Sequence, residues 1–299
     1  MSVQVSIFHY APDWAVWMND IVLLQVKSIR ELTTDVPYKL NVIDNEIEPN
    51  ARKDLASKLP PNVELISVPK HEVLCGPAGI NGAILNNKSD YLVILHTDVL
   101  VTWNWLSTWL THVKNAEAKY GVPCAVSCQG LLPYPSSPLN EETKRVQFGG
   151  RADYDYVRDY LEKTMHIEWK AWNNLPIGVS KPTILYDVGN ELGLYMANKK
   201  FWEEVGLHDE TMTATLDGID MGLRTLKTRC RNLIGGGLWL HHISGLHTNV
   251  GCRLQRQKDG NWVGTAEFIK KWGPEVSKKM GLTTLWTEFH NEQQQKYGK

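Results

Sequence analysis

Apolar residues alternate at Val3, Val5 and Ile7, the period of a strand, and Trp14, Trp17, Met18 and Ile21 follow at helical spacing. Lys39 to Ile43 predicts a short second strand ending at Asp44-Asn45. Asn50 to Leu59 reads as a helix stopped by Pro60-Pro61, and Val63 to Val68 as the next strand. Gly76 to Asn87 predicts a helix entered through a Gly-Pro turn. Tyr91 to Leu95 is an apolar run, the mark of a strand buried on both faces. Thr102 stands where it would cap a helix whose inner face holds Leu106, Trp109, Leu110 and Val113. Gly121-Val-Pro then leads to a strand at Ala125 to Ser127. This order predicts an α/β fold with a mainly parallel central sheet and helices on both faces.

Residues 131 to 186 break the rhythm. Pro133, Pro135 and Pro138 cluster in a loop, Asp153 to Trp172 carries a helical pattern, and Pro176 to Pro182 is irregular. Gly193 to Ala197 resumes a strand, Lys199 to Val205 a short helix and Asp217 to Thr228 a longer one. Leu233 to Leu240 is a strand interrupted by glycines. A basic loop from Arg253 to Gly264 precedes a helix around Phe268 to Trp272, ended by Gly273-Pro274, and a last amphipathic helix is expected from Thr284. There is no internal repeat.

Composition narrows the possibilities. A chain of 299 residues suits one large domain or two intimately packed ones. A formal charge of −1 argues against broad neutralisation of nucleic-acid phosphates, while leaving room for a local basic groove. No apolar run approaches the roughly 20 residues of a membrane span, and Met1 to Phe8 reads as a strand, not a signal peptide. Five scattered cysteines, an odd number, fit a reducing compartment, and a cytoplasmic location is expected. Twelve tryptophans stand out; an indole serves a core or a stacking platform equally well.

Open α/β sheets bind ligands at the carboxyl edge of their strands, and polar signatures fall there. Asp44 can accept from a nucleobase N–H or a ribose hydroxyl, although a turn Asp that caps the next helix is the simpler account. His96-Thr97-Asp98 leaves a buried strand, where a carboxylate costs several kcal/mol unless paired or metal-bound. Mg²⁺ and Mn²⁺ favour such oxygen-rich sites, with phosphates completing the shell. Asp217 and Asp220, three apart, share a helix face. Asp220 is explained by a salt bridge to Arg224, while Asp217 suits either an N-cap or a general base. His241, His242 and His247 follow a strand, and one of them could ligate a metal opposite Asp98.

These residues together carry a resemblance. Asn81 in its helix, followed by Tyr91-Leu-Val-Ile-Leu-His96-Thr97-Asp98-Val99, resembles the donor-site core of family 2 glycosyltransferases of the GT-A fold, in the subset whose DxD motif reads His-x-Asp-Val. Asp44-Asn45 is similar to their nucleotide-reading VDN, and Gly206-Leu-His-Asp209-Glu210 to their GxFDE. Asp217-Gly-Ile-Asp220-Met-Gly-Leu-Arg224 resembles their acidic helix, His242-Ile-Ser244-Gly245 an HxSxG stretch, and Phe268-Ile-Lys-Lys271-Trp272 a closing FxxKW. The order matches across most of the chain; only 131 to 186 is unmatched.

The resemblance implies a Rossmann-like nucleotide-sugar-binding half over 1–130, an acceptor-binding and catalytic half over 131–250, and a packed C-terminal piece over 251–299. It implies transfer of a hexosyl or pentosyl group from a nucleoside-diphosphate sugar to an acceptor hydroxyl, with Mn²⁺ or Mg²⁺ as cofactor. Tyr10, Asp44, Asn81, His96, Asp98 and Arg253 would contact the donor. Asp98 and His242 would hold the metal, with His96 as a further ligand, and Asp217 and Asp220 would be catalytic. An inverting reaction would use Asp217 as base, since the family's usual second acid is here Gly218; His96 likewise replaces the first acid of DxD. The acceptor, whether a glycan, a small molecule or a modified nucleic acid, is expected to meet the aromatic residues Tyr154, Tyr156, Tyr160, Trp169 and Trp172. The alternatives are a retaining glycosyltransferase, a sugar nucleotidyltransferase on the same fold, or a non-catalytic carbohydrate-binding protein.

Overall fold

The computed structural model describes residues 2–69, 76–97, 99–101, 104–132, 194–212, 216–242 and 264–279; at 128–132, 234–239, 241–242, 265 and 277–279 it describes the backbone alone. The predicted alternation appears as β1 (Val3–His9), α1 (Met18–Leu32), β2 (Tyr38–Asp44), α2 (Pro49–Lys58), β3 (Val63–Ser67), α3 (Gly76–Leu85), β4 (Tyr91–His96), a short β5 (Val99–Leu100), α4 (Trp105–Tyr120) and β6 (Cys124–Leu132). After the long segment come β7 (Tyr195–Asn198), α5 (Lys199–Val205), α6 (Leu216–Thr225), β8 (Arg231–His242), α7 (Thr265–Trp272) and α8 (Pro274–Lys279). The helices expected at Asp153 to Trp172 and from Thr284 lie outside the described residues.

The strands form one sheet in the order β3-β2-β1-β4-β7-β6-β8-β5. β1 runs parallel to β2 and β4, β2 to β3, and β6 to β8, whereas β7 is antiparallel to both β4 and β6. Six strands therefore point one way, and β7 and β5 oppose them. The sheet is mixed but mainly parallel, and helices cover both faces, as the sequence predicts. Its topology is of GT-A type.

Strand alternation supplies two apolar faces. Val5, Ile7, Val42, Val93, Leu95 and Val126 pack with α1 and α4, the latter through Trp105, Leu106, Trp109 and Val113. Phe8, Ile43, Leu92, Ile94, Tyr195 and Ala197 face the other way, against Ile80 of α3, Phe201 and Trp202 of α5 and Met221 of α6. Each such large side chain contributes about 1.5–3 kcal/mol when fully buried. Trp105 and Trp109 settle as core; each also places its indole N–H, on Thr33 Oγ1 at 2.7 Å and on the Val126 carbonyl at 2.6 Å. The cap expected at Thr102 is corrected: Asn104 precedes α4, with φ of 58° and no side-chain cap bond.

Glycine sets how α3 meets the sheet. A Cβ on Gly79 would stand 3.0 Å from Asn45 Cγ and 3.1 Å from Phe8 Cβ, and one on Gly82 would stand 2.1 Å from Val68 Cγ1. The helix therefore lies close over the carboxyl ends of β1 and β2, an approach that a side chain at Gly82 would force apart and one at Gly79 would crowd.

Candidate functional site

Parallel register collects His9, Asp44 and His96, and the backbone of His242, along the carboxyl edge of the sheet. His9 is fully buried, with Nδ1 3.0 Å from Thr97 Oγ1 and Nε2 3.0 Å from Asn19 Oδ1. Thr97 in turn donates to the Phe8 carbonyl at 2.9 Å, and Gln25 Nε2 donates to the His96 carbonyl at 2.8 Å. The turn that leaves β4 is thus tied down on the β1 side and the α1 side. The His96 ring lies half-buried against Phe8, with ring centroids 4.5 Å apart.

The last strand arrives at the same edge. β5 pairs antiparallel with the end of β8, Val99 opposite His242 and Leu100 opposite His241. Three chain steps separate His96 from Val99, at most about 11 Å between Cα atoms. The end of β8 is therefore held near the end of β4, although β7 and β6 stand between those strands in the sheet.

Asp44 is buried, and both its carboxylate oxygens are engaged. Oδ1 accepts from the Ile47 backbone N–H at 2.8 Å; Oδ2 accepts from Arg52 Nε at 2.6 Å and from Ser67 Oγ at 3.3 Å. Tyr10, next along from β1, is buried, and burial with the Glu48 and Glu46 carboxylates pushes its phenol up to about 12. Its hydroxyl stays protonated at neutral pH. Asn81 is engaged by the 208–210 loop: its Nδ2 donates to the His208 carbonyl at 3.0 Å and to Glu210 Oε1 at 2.7 Å, and its Oδ1 accepts from the His208 backbone N–H at 2.8 Å. Gly79 seats α3 on β1 and β2, and Asn81, two residues on, clamps the 208–210 loop.

That loop and α6 build a second, buried cluster. Asp217 has no exposed surface; burial pushes its carboxyl up to about 6 against the opposing pull of His208, whose Nδ1 lies 3.1 Å from Oδ2. The other oxygen, Oδ1, meets no donor in hydrogen-bonding geometry among the described residues, although the backbone N–H groups of Asp217 and Gly218 also draw the carboxyl down. On the far side of the imidazole, Nε2 lies 2.5 Å from the Tyr195 hydroxyl, whose burial holds it well above the ordinary phenol range.

Asp220 differs. Its Oδ2 accepts from Arg224 Nε at 2.8 Å, and its Oδ1 accepts from Trp272 Nε1 at 2.9 Å and Lys271 Nζ at 2.8 Å. Lys271 also reaches Asp209 Oδ2 at 2.7 Å; burial pushes the ammonium down, but the two carboxylates outweigh it and raise its pKa. Beneath this lattice Phe268 packs on Met212, Leu216 and Ile219. The stretches 206–210, 217–224 and 268–272, scattered in sequence, thus meet in space. Sequence reasoning missed Tyr195 and His208. The signal for His208 was present, since it occupies the position written Phe in the GxFDE motif.

Asp98, Arg253, His247 and the aromatic residues of 154–172 lie outside the described residues, as do the side chains of His241 and His242. Among the described residues no group of three His, Cys, Asp or Glu side chains is placed to hold a metal ion. Nor is any helix among them long and apolar enough to cross a membrane.

No protein-family model matches the chain, and no curated protein matches it. Solved structures do. S. aureus TarS 1-349 aligns with a TM-score of 0.50 at 8% identity, covering 81% of this chain and 60% of that one. GalNAc-T7 with UDP, GalNAc and Mn²⁺ aligns with a TM-score of 0.49 at 12% identity, covering 97% of this chain and 54% of that one. The chain thus spans 60% of the TarS fragment it resembles, and at this identity the likeness is one of fold.

Proposed function

We propose that the chain is a glycosyltransferase that moves a sugar from a nucleoside-diphosphate sugar to an acceptor hydroxyl, with a divalent cation, Mn²⁺ or Mg²⁺, bound at the end of β8. One observation carries the reading: the register that sets His242 opposite Val99. Covalent geometry keeps the Cα atoms of neighbouring residues about 3.8 Å apart. Residues opposite each other on antiparallel strands are about 4.5–5.5 Å apart. Asp98 is covalently next to Val99, so in this reading its carboxylate and the His242 imidazole share one ion, a donor set that suits Mn²⁺. Had β8 ended elsewhere in the sheet, the reading would fail.

The cation, when bound, neutralises charge that develops on the departing diphosphate. The chain's own residues do the rest. Asp98, His242 and His96 would hold the ion; Asp44, Tyr10 and Arg253 would meet the nucleotide, and His9 with Thr97 steadies the turn that leaves β4. Asp217 accepts the acceptor hydroxyl proton as the bond to the anomeric carbon forms on the face opposite the leaving group, which inverts the configuration. Asp220, with donors on both oxygens, keeps α6 aligned instead of taking a proton. The GT-A fold supports this reading by analogy only; the site residues carry it.

The complete burial of Asp217 favours one alternative, a non-catalytic carbohydrate-binding protein that keeps a donor pocket without turnover. Both readings predict that a donor raises the melting temperature in the presence of Mn²⁺, by roughly 2.7 kcal/mol of stability at a hundred times Kd. They part on turnover, because the enzyme releases nucleoside diphosphate and the binding protein does not. The test is a thermal-shift screen of nucleotide sugars with and without Mn²⁺, followed by an assay for released diphosphate with wild type and Asp98→Ala. Absence of any metal-dependent shift overturns both readings.

A further inference from the structure

The position written Phe in the motif that 206–210 resembles is here His208, buried between Asp217 and Tyr195. Its Nδ1 lies 3.1 Å from Asp217 Oδ2 and its Nε2 2.5 Å from the Tyr195 hydroxyl. The Tyr195 and His208 rings are stacked at 23°. His208 cannot drift, because Asn81 holds both its backbone N–H and its carbonyl.

We propose that Tyr195, His208 and Asp217 form one directed hydrogen-bond chain, in which His208 is the positioning residue that presents Asp217 Oδ1 to the acceptor hydroxyl. The inference rests on the reading of Asp217 as the base and assigns the machinery that aims it.

A neutral imidazole has one donor and one acceptor nitrogen. An ionised Asp217 only accepts, so Nδ1 carries the hydrogen. Nε2 is then bare and accepts from Tyr195, whose phenol is kept protonated by burial. The reverse tautomer would set a lone pair against the carboxylate, whereas the phenol can donate or accept. The Asp217 end therefore selects the tautomer, the Tyr195 hydroxyl follows it, and Oδ2 is committed to His208. Oδ1, buried without a partner among the described residues, has lost its water without a replacement. An incoming hydroxyl would supply that replacement, its O–H donating to Oδ1 before the proton is transferred there.

The other charges nearby leave the chain isolated. Arg224 acts on Tyr195 from α6, and Asp220 is turned to Arg224, Lys271 and Trp272. Among the described residues the imidazole bonds to the side chains of Asp217 and Tyr195.

Tyr195→Phe removes one oxygen and keeps the ring packing; His208→Phe installs the motif residue; His208→Gln keeps a donor toward Asp217 and an acceptor toward Tyr195. Nitrogen NMR of the histidine rings in wild type is expected to show the neutral His208 ring with its hydrogen on Nδ1 and none on Nε2. In steady-state assays, kcat is expected to fall about tenfold in Tyr195→Phe and about a hundredfold in His208→Phe, with acceptor KM within about twofold. The acid limb of the pH profile is expected to move in both, and His208→Gln to regain part of the loss. An Nε2–H or mixed tautomer in wild type overturns the proposal, as does a folded Tyr195→Phe or His208→Phe with unaltered kcat and pH limb. A wild type that turns over no nucleotide sugar refutes the glycosyltransferase reading instead, and the NMR tautomer still decides whether the chain exists.

Discussion

Lys271 Nζ stands 2.8 Å from Asp220 Oδ1, an ion pair that joins α7 to α6 on a carboxylate with no exposed surface. Arg224 and Trp272 complete the shell around that carboxylate. Asp220→Ala removes an acceptor shared by an arginine, a lysine and an indole N–H, although Lys271 keeps Asp209 and Arg224 keeps the Val205 carbonyl, and is expected to cost about 3 kcal/mol. Lys271→Met removes only one of three donors and is expected to cost about 1–2 kcal/mol. Urea unfolding of the two variants checks the order; equal costs would show that the lysine, not the shared carboxylate, holds the helices together.

Gly264, at the start of α7, has φ of +95°, and a Cβ there would lie 2.5 Å from the Thr211 carbonyl oxygen and 2.6 Å from Met212 Cα. Both neighbours are backbone and cannot swing aside. Gly264→Ala is therefore expected to lower stability by about 3 kcal/mol or more, from backbone strain plus displacement of the 211–212 turn. Calorimetry of the variant tests this, and an unchanged melting temperature would contradict the contact.

Asp217 has a folded-state pKa raised from 3.8 to about 6, chiefly by burial. The native state therefore holds this proton more tightly than the unfolded chain does. The stability it confers is complete below about pH 4 and is lost as pH rises through 6, roughly 3 kcal/mol over that window. Comparison of wild type with Asp217→Asn isolates this from the carboxylates that titrate the other way, such as Asp209, whose pKa is lowered despite its burial because Lys271 and Thr211 donate to it. The difference in unfolding free energy between the two proteins should change by that amount between pH 4 and 8. A constant difference would mean that Asp217 ionises in the fold as easily as in water.

Arg52 holds Asp44 Oδ2 at 2.6 Å and, through Nη2, Ser67 Oγ at 2.8 Å, yet half its side chain is exposed. Arg52→Ala is expected to cost about 1 kcal/mol or less in stability. Under the proposed function it also loosens the carboxylate that meets the nucleoside, weakening nucleotide-sugar binding about fivefold by titration calorimetry. Unaltered affinity would remove Asp44 from the donor site.

The strands and helices of the first 130 residues are legible because their apolar positions repeat with periods of two and about 3.6, and the structure follows them within a few residues. The Asp220–Arg224 pair was readable as a one-turn spacing. Trp272 and Lys271 on Asp220 were not, because local periodicity says nothing about a partner 52 residues away. Only the order of the motif resemblance hinted that these stretches belong together. The antiparallel placement of β7 between β4 and β6 was hidden for a similar reason: a strand of four residues carries little pattern, and its neighbours are fixed by tertiary pairing. The cap before α4 misled because Thr is a common cap, whereas Asn104 enters the left-handed conformation that Asn tolerates.

β7 comes from beyond residue 193, yet it lies between two strands drawn from the first 132 residues. Pulling the two portions of the polypeptide apart would bare the flanks of β4 and β6 together, a loss shared by both sides. Severing the peptide bond anywhere in the intervening stretch should consequently yield a pair of fragments that reassemble on mixing, the C-terminal fragment re-entering the gap as a wedge and restoring the sheet on both sides of it.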